Sequence, residues 1–175
     1  MAGESNFFPA PPMKLIISSL SELKRFSGKV THVLSVVDPD DGPNIPSLGV
    51  PTGRRLVLLC DDVESRLEAL QRERMMPGSR CIAPTETMVE RALAFAKVLP
   101  DDARLLIHCG QGISRSTAMA FAIMCQASPD LAERKVFQKV IELRPQASPN
   151  ALIVKYADSL LARRGRMTKA ILTPR

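Results

Sequence analysis

Residues 107–117 read Ile107-His108-Cys109-Gly110-Gln111-Gly112-Ile113-Ser114-Arg115-Ser116-Thr117, and the runs on either side give this stretch its shape. Leu105, Leu106 and Ile107 form an apolar run before the cysteine, of the kind that makes a buried strand. Residues 117–124 form an apolar, helix-favouring run after it. The order is strand, glycine-bearing loop, helix. A loop entering a helix turns its free main-chain N–H groups inward, and with the helix dipole they make a cup for an anion. Gly110 and Gly112 let the backbone approach that anion closely. Gln111, Ile113 and Ser114 supply further N–H groups, and Arg115 adds a planar fork of donors suited to two phosphate oxygens.

Cys109 stands at the floor of this cup. The positive field that holds a phosphate also favours the thiolate, so the thiol is expected to titrate below its free value of about 8.5. One loop thus makes both a nucleophile and a phosphate site. Ser116 can donate its hydroxyl to the sulfur and help it leave in a second step. His108 is expected to orient the loop by bonding to nearby backbone, since an ionised thiol needs no base. A single cysteine after a strand is ordinarily core filler, and Gly-x-Gly alone is a weak signal. His-Cys, five residues, then Arg-Ser, between a strand and a helix, is a specific one. No Gly-Lys-Ser/Thr follows the glycines, which excludes a Walker-type triphosphate loop.

Outward from the loop, the chain alternates strands and helices. Strands are expected at 14–18, 29–37, 55–59 and 104–108. A short helix is expected at 19–26, capped by Ser19 or Ser21, and a helix at 85–98 capped by Thr85. Further helices are expected at 116–126, 129–143 and 149–161 or beyond, with Pro129 and Pro149 in first turns. Residues 1–12, with Gly3, Pro9, Pro11 and Pro12, read as a tail, and residues 13–172 as a single domain. The pattern predicts an α/β fold: a central, mostly parallel sheet flanked by helices on both faces, with the Cys109 loop at the carboxyl end of a strand.

The chain has 175 residues, enough for one domain with a full core. The net charge of +6 favours anionic partners. Aromatic residues make up only 4% and tryptophan is absent, which disfavours a nucleic-acid partner. The four cysteines, Cys60, Cys81, Cys109 and Cys125, show no zinc spacing, and only two histidines are present, so no metal and no cofactor is implied. No secretory pattern opens the sequence, and no apolar run approaches the roughly 20 residues that span a bilayer. The expectation is a cytoplasmic protein with no membrane partner and with free thiols. Cys60 and Cys125 are read as buried filler or as partners of Cys109 under oxidation. Arg163, Arg164, Arg166 and Lys169 are read as a solvated helix end or a contact for an acidic partner.

The Cys109–Arg115 loop resembles the signature of the cysteine-dependent protein tyrosine phosphatases, and looks most similar to the small dual-specificity type and its short bacterial relatives. Thr31-His32-Val33-Leu34-Ser35-Val36-Val37-Asp38 is similar to an early central strand of that family. Arg144 followed by Pro149-Asn150 is similar to the element that opens its last helix. Residues from about 14 to 170 can be laid on the family pattern. The resemblance implies a phosphotyrosine protein phosphatase-like fold. It also implies hydrolysis of phosphate monoesters through a cysteinyl-phosphate intermediate. The substrate would be a phosphorylated protein or a small phosphate monoester, with phosphotyrosine first and phosphoserine or phosphothreonine in addition. Asn150 is expected either to steady the loop, as the resemblance implies, or simply to cap its helix.

The family protonates the leaving group with an aspartic acid on a separate loop. Asp61-Asp62-Val63 follows the expected 55–59 strand and resembles the polar-Asp-apolar triplet of the short relatives, with Asp62 in the middle. Asp62 is therefore assigned as the general acid, with Asp61 as the alternative and Asp38, Asp40 and Asp41 behind them. The other reading is that Asp61 and Asp62 only end a strand and cap a helix over 63–74. Asp101-Asp102 are read as a turn. Residues 64–83 look like an insertion relative to the family. Two alternative functions stay open: a phosphoinositide or RNA-phosphate phosphatase on the same fold, and a phosphate-binding module without turnover. The loop interior has no lysine, which disfavours the phosphoinositide class.

Overall fold

Four apolar runs form four parallel strands in the computed structural model, which describes residues 13–172 except 77 and 79. The strands are β1 (Lys14–Ser19), β2 (His32–Val37), β3 (Arg55–Leu59) and β4 (Arg104–Cys109), in the spatial order β1-β4-β2-β3. The two interior strands explain their own composition. Every residue of β2 is buried, as is every residue of β4 after Arg104, which is why they read as unbroken apolar runs. β3 lies at an edge and leaves Val57 and Leu59 partly exposed. The tail expected at residues 1–12 lies outside the described residues.

The helices are α1 (Arg66–Met75), α2 (Glu86–Lys97), α3 (Arg115–Ala127), α4 (Glu133–Leu143), α5 (Ala151–Leu160) and α6 (Arg166–Leu172). Thr85 caps α2 as expected, its hydroxyl accepting the Met88 N–H at 3.3 Å. Successive strand residues point to opposite faces, and the two faces are covered unequally. Leu15, Ile17, Leu34, Val36, Leu105 and Ile107 pack into the large core with residues of α2 to α6. Val33 and Leu106 point the other way and meet Leu23, Val30, Leu48 and Val50 from a 3-10 turn and loops. Helices on both faces were the expectation; among the described residues, those packed on this second face come from the turn Leu23–Phe26 and from loops.

Other boundaries also differ. The helix expected at 19–26 is only that 3-10 turn. Its first residues are spent on side-chain bonds, since Glu22 accepts both the N–H and the hydroxyl of Ser19 at 2.9 Å. Pro129 and Pro149 precede their helices and are not in the first turns. Ala132 and Asn150 are the N-caps. The helix of the 64–83 insertion begins at Arg66 behind Ser65, whose hydroxyl accepts the Glu68 N–H at 3.0 Å, so neither Asp61 nor Asp62 caps it. The basic C-terminal stretch is not all solvated. Arg163 is buried and donates to Glu133 and to the carbonyls of Cys125 and Pro129.

Because all strands are parallel, their carboxyl ends share one edge. Asp38 follows β2, Asp62 lies just beyond β3, Cys109 ends β4, and Ser19 ends β1. No helix among the described residues is long and apolar enough to cross a membrane.

Candidate active site

The loop from Gly110 to Ser114 is shaped from behind. Its five carbonyls are all bonded away from its concave side. Gly110 O accepts from Leu20 N at 3.0 Å, Gln111 O from Arg144 Nη2 at 3.2 Å, and Gly112 O from Arg144 Nε at 3.1 Å. Ile113 O accepts from Ser148 N at 2.9 Å and Ser114 O from Asn150 N at 3.4 Å. With these carbonyls bonded to the surrounding chain, the Gly112 N–H turns to the Cys109 sulfur, as an anion cradle requires. Gly112 has φ of 72°, and a Cβ there would sit 2.6 Å from the carbonyl carbon of Ser18, so only glycine fits against the end of β1. Ser114, the N-cap of α3, makes no side-chain cap bond, which leaves that helix start open to a ligand.

Cys109 is buried at the bottom of this cradle. Its sulfur accepts the Gly112 N–H at 3.2 Å and lies 3.2 Å from Ser116 Oγ. His108 is fully buried, and its Nε2 meets Ser35 Oγ on β2 at 2.7 Å. Its Nε2 bond therefore runs across the sheet, while the Cys109 backbone also acts on the ring. Burial pushes its imidazole down to about 4, so it stays neutral.

Arg115 is 4% exposed and held at one end. Nη1 donates to Asp38 Oδ1 at 3.1 Å and to the Cys60 carbonyl, and Nη2 donates to Asp38 Oδ2 at 3.1 Å. Burial works against its charge, but Asp38, with Asp62 and Cys109 nearby, outweighs this and raises its pKa. Nε is buried and makes no hydrogen bond. The Nε edge of the guanidinium is thus open. A buried donor left unsatisfied costs about 1–3 kcal/mol, which an anionic ligand would relieve.

Asp62 and Asp61 part company here. Asp62 Oδ1 accepts from Ser114 Oγ at 2.7 Å and from Asn150 Nδ2 at 2.9 Å, and Oδ2 lies 3.9 Å from Arg115 Nε. Asp61 instead accepts the Ile82 N–H at 2.6 Å. Asn150 caps α5 through the Ile153 N–H at 3.1 Å, as one reading expected; its side chain otherwise reaches Asp62 and the Val63 carbonyl, and it meets the loop only through its own N–H on Ser114 O. Asp38, Asp62, Arg72, Cys109 and Arg115 line one cavity of about 410 Å³ with the loop backbone. Cys60 and Cys125 are buried, and burial pushes both thiols up to about 12, which fits inert filler.

Three residues of this arrangement escaped the sequence reading. Asp38 was weighed only as an acid, and it is the partner of Arg115. Arg144 stood out only by resemblance, and it holds two loop carbonyls. Glu22, which accepts from Arg144 Nη1 at 3.0 and 3.2 Å, carries no local signal at all. The Ser19 N–H and hydroxyl, together with Arg144, keep Glu22 below the usual carboxylate range.

No family model and no curated protein matches the sequence. Solved structures do match. A PTP-2 phosphatase of Cydia pomonella superposes with a TM-score of 0.59 at 21% identity, covering 83% of this chain and 84% of its own. A mouse putative dual specificity phosphatase, complexed with zinc tungstate, gives a TM-score of 0.58 at 21% identity and covers 94% of this chain and 97% of its own. PTPMT1 in complex with PI(5)P gives a TM-score of 0.57 at 16% identity, with coverage of 86% and 94%. The fold is that of the dual-specificity phosphatases. In this phosphatase fold the parallel sheet edge gathers Cys109, Arg115, Asp38 and Asp62 from three separate strand ends.

Proposed function

We propose that this chain is a cysteine-dependent phosphatase that hydrolyses phosphate monoesters, with protein phosphotyrosine as the first substrate and phosphoserine or phosphothreonine in addition. The observation that carries the reading is the loop itself: a buried sulfur that accepts a loop N–H, beside an arginine whose buried Nε makes no hydrogen bond among the described residues. A phosphate dianion there would accept from the main chain of Gly110, Gln111, Gly112, Ile113 and Ser114 and from Arg115. These donors act most strongly where charge builds up on the equatorial oxygens.

In the first step the Cys109 thiolate attacks phosphorus, an S–P bond forms and the P–O bond to the leaving group breaks. Asp62 gives its proton to the departing oxygen, since phenolate and alkoxide leave poorly without one. In the second step Asp62 takes a proton from water, the water oxygen bonds to phosphorus, and the S–P bond breaks. Ser116, in contact with the sulfur, stabilises the returning thiolate. Asp62 is favoured over Asp61 because Asp61 is turned to Ile82, and over Asp38 because Asp38 is spent on Arg115. The test is hydrolysis of p-nitrophenyl phosphate and of a phosphotyrosine peptide, with vanadate as inhibitor. Turnover that vanadate blocks supports the reading, and a protein that binds vanadate yet turns over neither substrate is the phosphate-binding module instead.

A further inference from the structure

The insertion that begins after β3 is a closed excursion. At its neck the Asp61 N–H donates to the Ile82 carbonyl at 2.7 Å, and the Ile82 N–H donates to the Asp61 carboxylate at 2.6 Å. Between these points α1 stands beside the cavity and delivers Arg72 to its lining. Arg72 Nη2 spends its two hydrogens on the Asp62 carbonyl at 3.1 Å and on Glu68 Oε1 at 2.8 Å. Those two bonds fix the plane of the guanidinium. Its Nε and Nη1 make no hydrogen bond among the described residues. A positioned guanidinium with an open edge is a fork for oxyanions. A half-exposed pair with Glu68 alone would contribute little and would not require contact with Asp62.

The charges around the cavity sharpen the point. Its other charged side chains are Asp38, Asp62 and Arg115. Asp38 is paired with Arg115, and Arg115 Nε, 3.9 Å from Asp62 Oδ2, makes no hydrogen bond among the described residues. Any second negative group on a substrate meets two carboxylates, except where Arg72 stands. We propose that Arg72 is a specificity-determining residue that receives a second anionic group, so that the site takes phosphate monoesters carrying another negative charge close to the phosphate. The inference rests on the phosphatase reading of the site. The second group is either a carboxylate, such as an acidic residue beside a phosphorylated one, or a further phosphate.

The experiment compares kcat/KM for phenyl phosphate, 3-carboxyphenyl phosphate and 1,3-phenylene bisphosphate in the wild-type protein and in Arg72→Ala, Arg72→Lys and Arg74→Ala. The expected wild-type preference for at least one doubly charged ester is about three- to tenfold, carried by KM. Arg72→Ala brings the ratio to about one, Arg72→Lys keeps part of it, and Arg74→Ala, on the same helix, keeps it all. The carboxylate and bisphosphate arms separate the two kinds of second group. A wild-type protein without preference overturns the proposal. So does an Arg72→Ala protein that loses kcat equally on all three esters with its ratio intact, because Arg72 then only supports Asp62. If no ester turns over, the phosphatase reading fails by itself. Calorimetric binding of phenylphosphonate and its 3-carboxy derivative then decides the Arg72 proposal by the same ratio.

Discussion

The Cys109 loop and the Asp62 segment face the same cavity but are held in different ways. The loop is fastened mostly through main chain, with three of its five carbonyls on the N–H groups of Leu20, Ser148 and Asn150 and two on the Arg144 side chain. The Asp62 segment rests on side chains: Ser114 and Asn150 hold its carboxylate, and Arg72 holds its carbonyl. Main-chain fastening costs little further conformational entropy once the fold has formed, whereas each side-chain bond orders rotamers of its own. The cradle is therefore built in advance, and the acid is adjusted by residues that substitution can reach one at a time.

The largest effect expected is Cys109→Ser, which abolishes phosphomonoester turnover while calorimetry still detects vanadate binding. Turnover surviving in that variant removes the covalent mechanism. Next is Arg115→Lys. It keeps the charge but loses the fork and the pairing with Asp38, and kcat/KM falls by about 10²–10³-fold, as for loss of a transition-state donor. Asp62→Asn follows, with kcat reduced by about two orders of magnitude. The loss grows as the leaving group becomes more basic, and Asp61→Asn does not reproduce it. Full activity in Asp62→Asn together with loss in Asp61→Asn reverses the assignment.

Asn150→Ala tests how far the acid depends on its support. Loss of a charge-assisted bond of about 1.5 kcal/mol corresponds to roughly tenfold in kcat. In the Asp62→Asn background the same change costs almost nothing, because the two residues act as one unit.

The smallest effect on turnover at neutral pH belongs to His108→Asn, and its mark is in stability. Burial lowers the His108 pKa to about 4 from an ordinary 6.5, so the unfolded chain binds the proton more readily. Its contribution is complete above pH 6.5 and is lost as the pH falls towards 4. At pH 5 the loss is about 2 kcal/mol. Urea unfolding at pH 7 and pH 5 measures it, and the difference between the two shrinks by that amount in the variant.

The parts of the site that could be read from the chain are those whose residues are neighbours in it. Cys109, Arg115 and Ser116 lie in one stretch, and the turn that joins them is written in Gly110 and Gly112. Asp62 was reachable because it follows a recognisable strand. Asp38 was visible as an acid, but its pairing with Arg115 depends on β2 lying beside β4, a matter of sheet order. Arg144 and Glu22 are 122 positions apart in the chain yet meet behind the loop. The short turn at Leu23–Phe26, and the cover of the second face by that turn and by loops, were not legible because apolar spacing does not tell which face a residue will cover.

Alone, the sequence determined that a thiol and a guanidinium stand at the two ends of a phosphate-sized loop, and that strands and helices alternate around it. Local spacing and backbone preference are enough for that. Tertiary structure decided that Asp62 meets Ser114 and Asn150 while Asp61 turns to Ile82, that Arg115 Nε is left without a hydrogen bond among the described residues, and that α1 brings Arg72 to the same cavity. Those choices depend on strand order and on contacts between residues distant in the chain, and such contacts exist only after the sheet has brought the strand ends together.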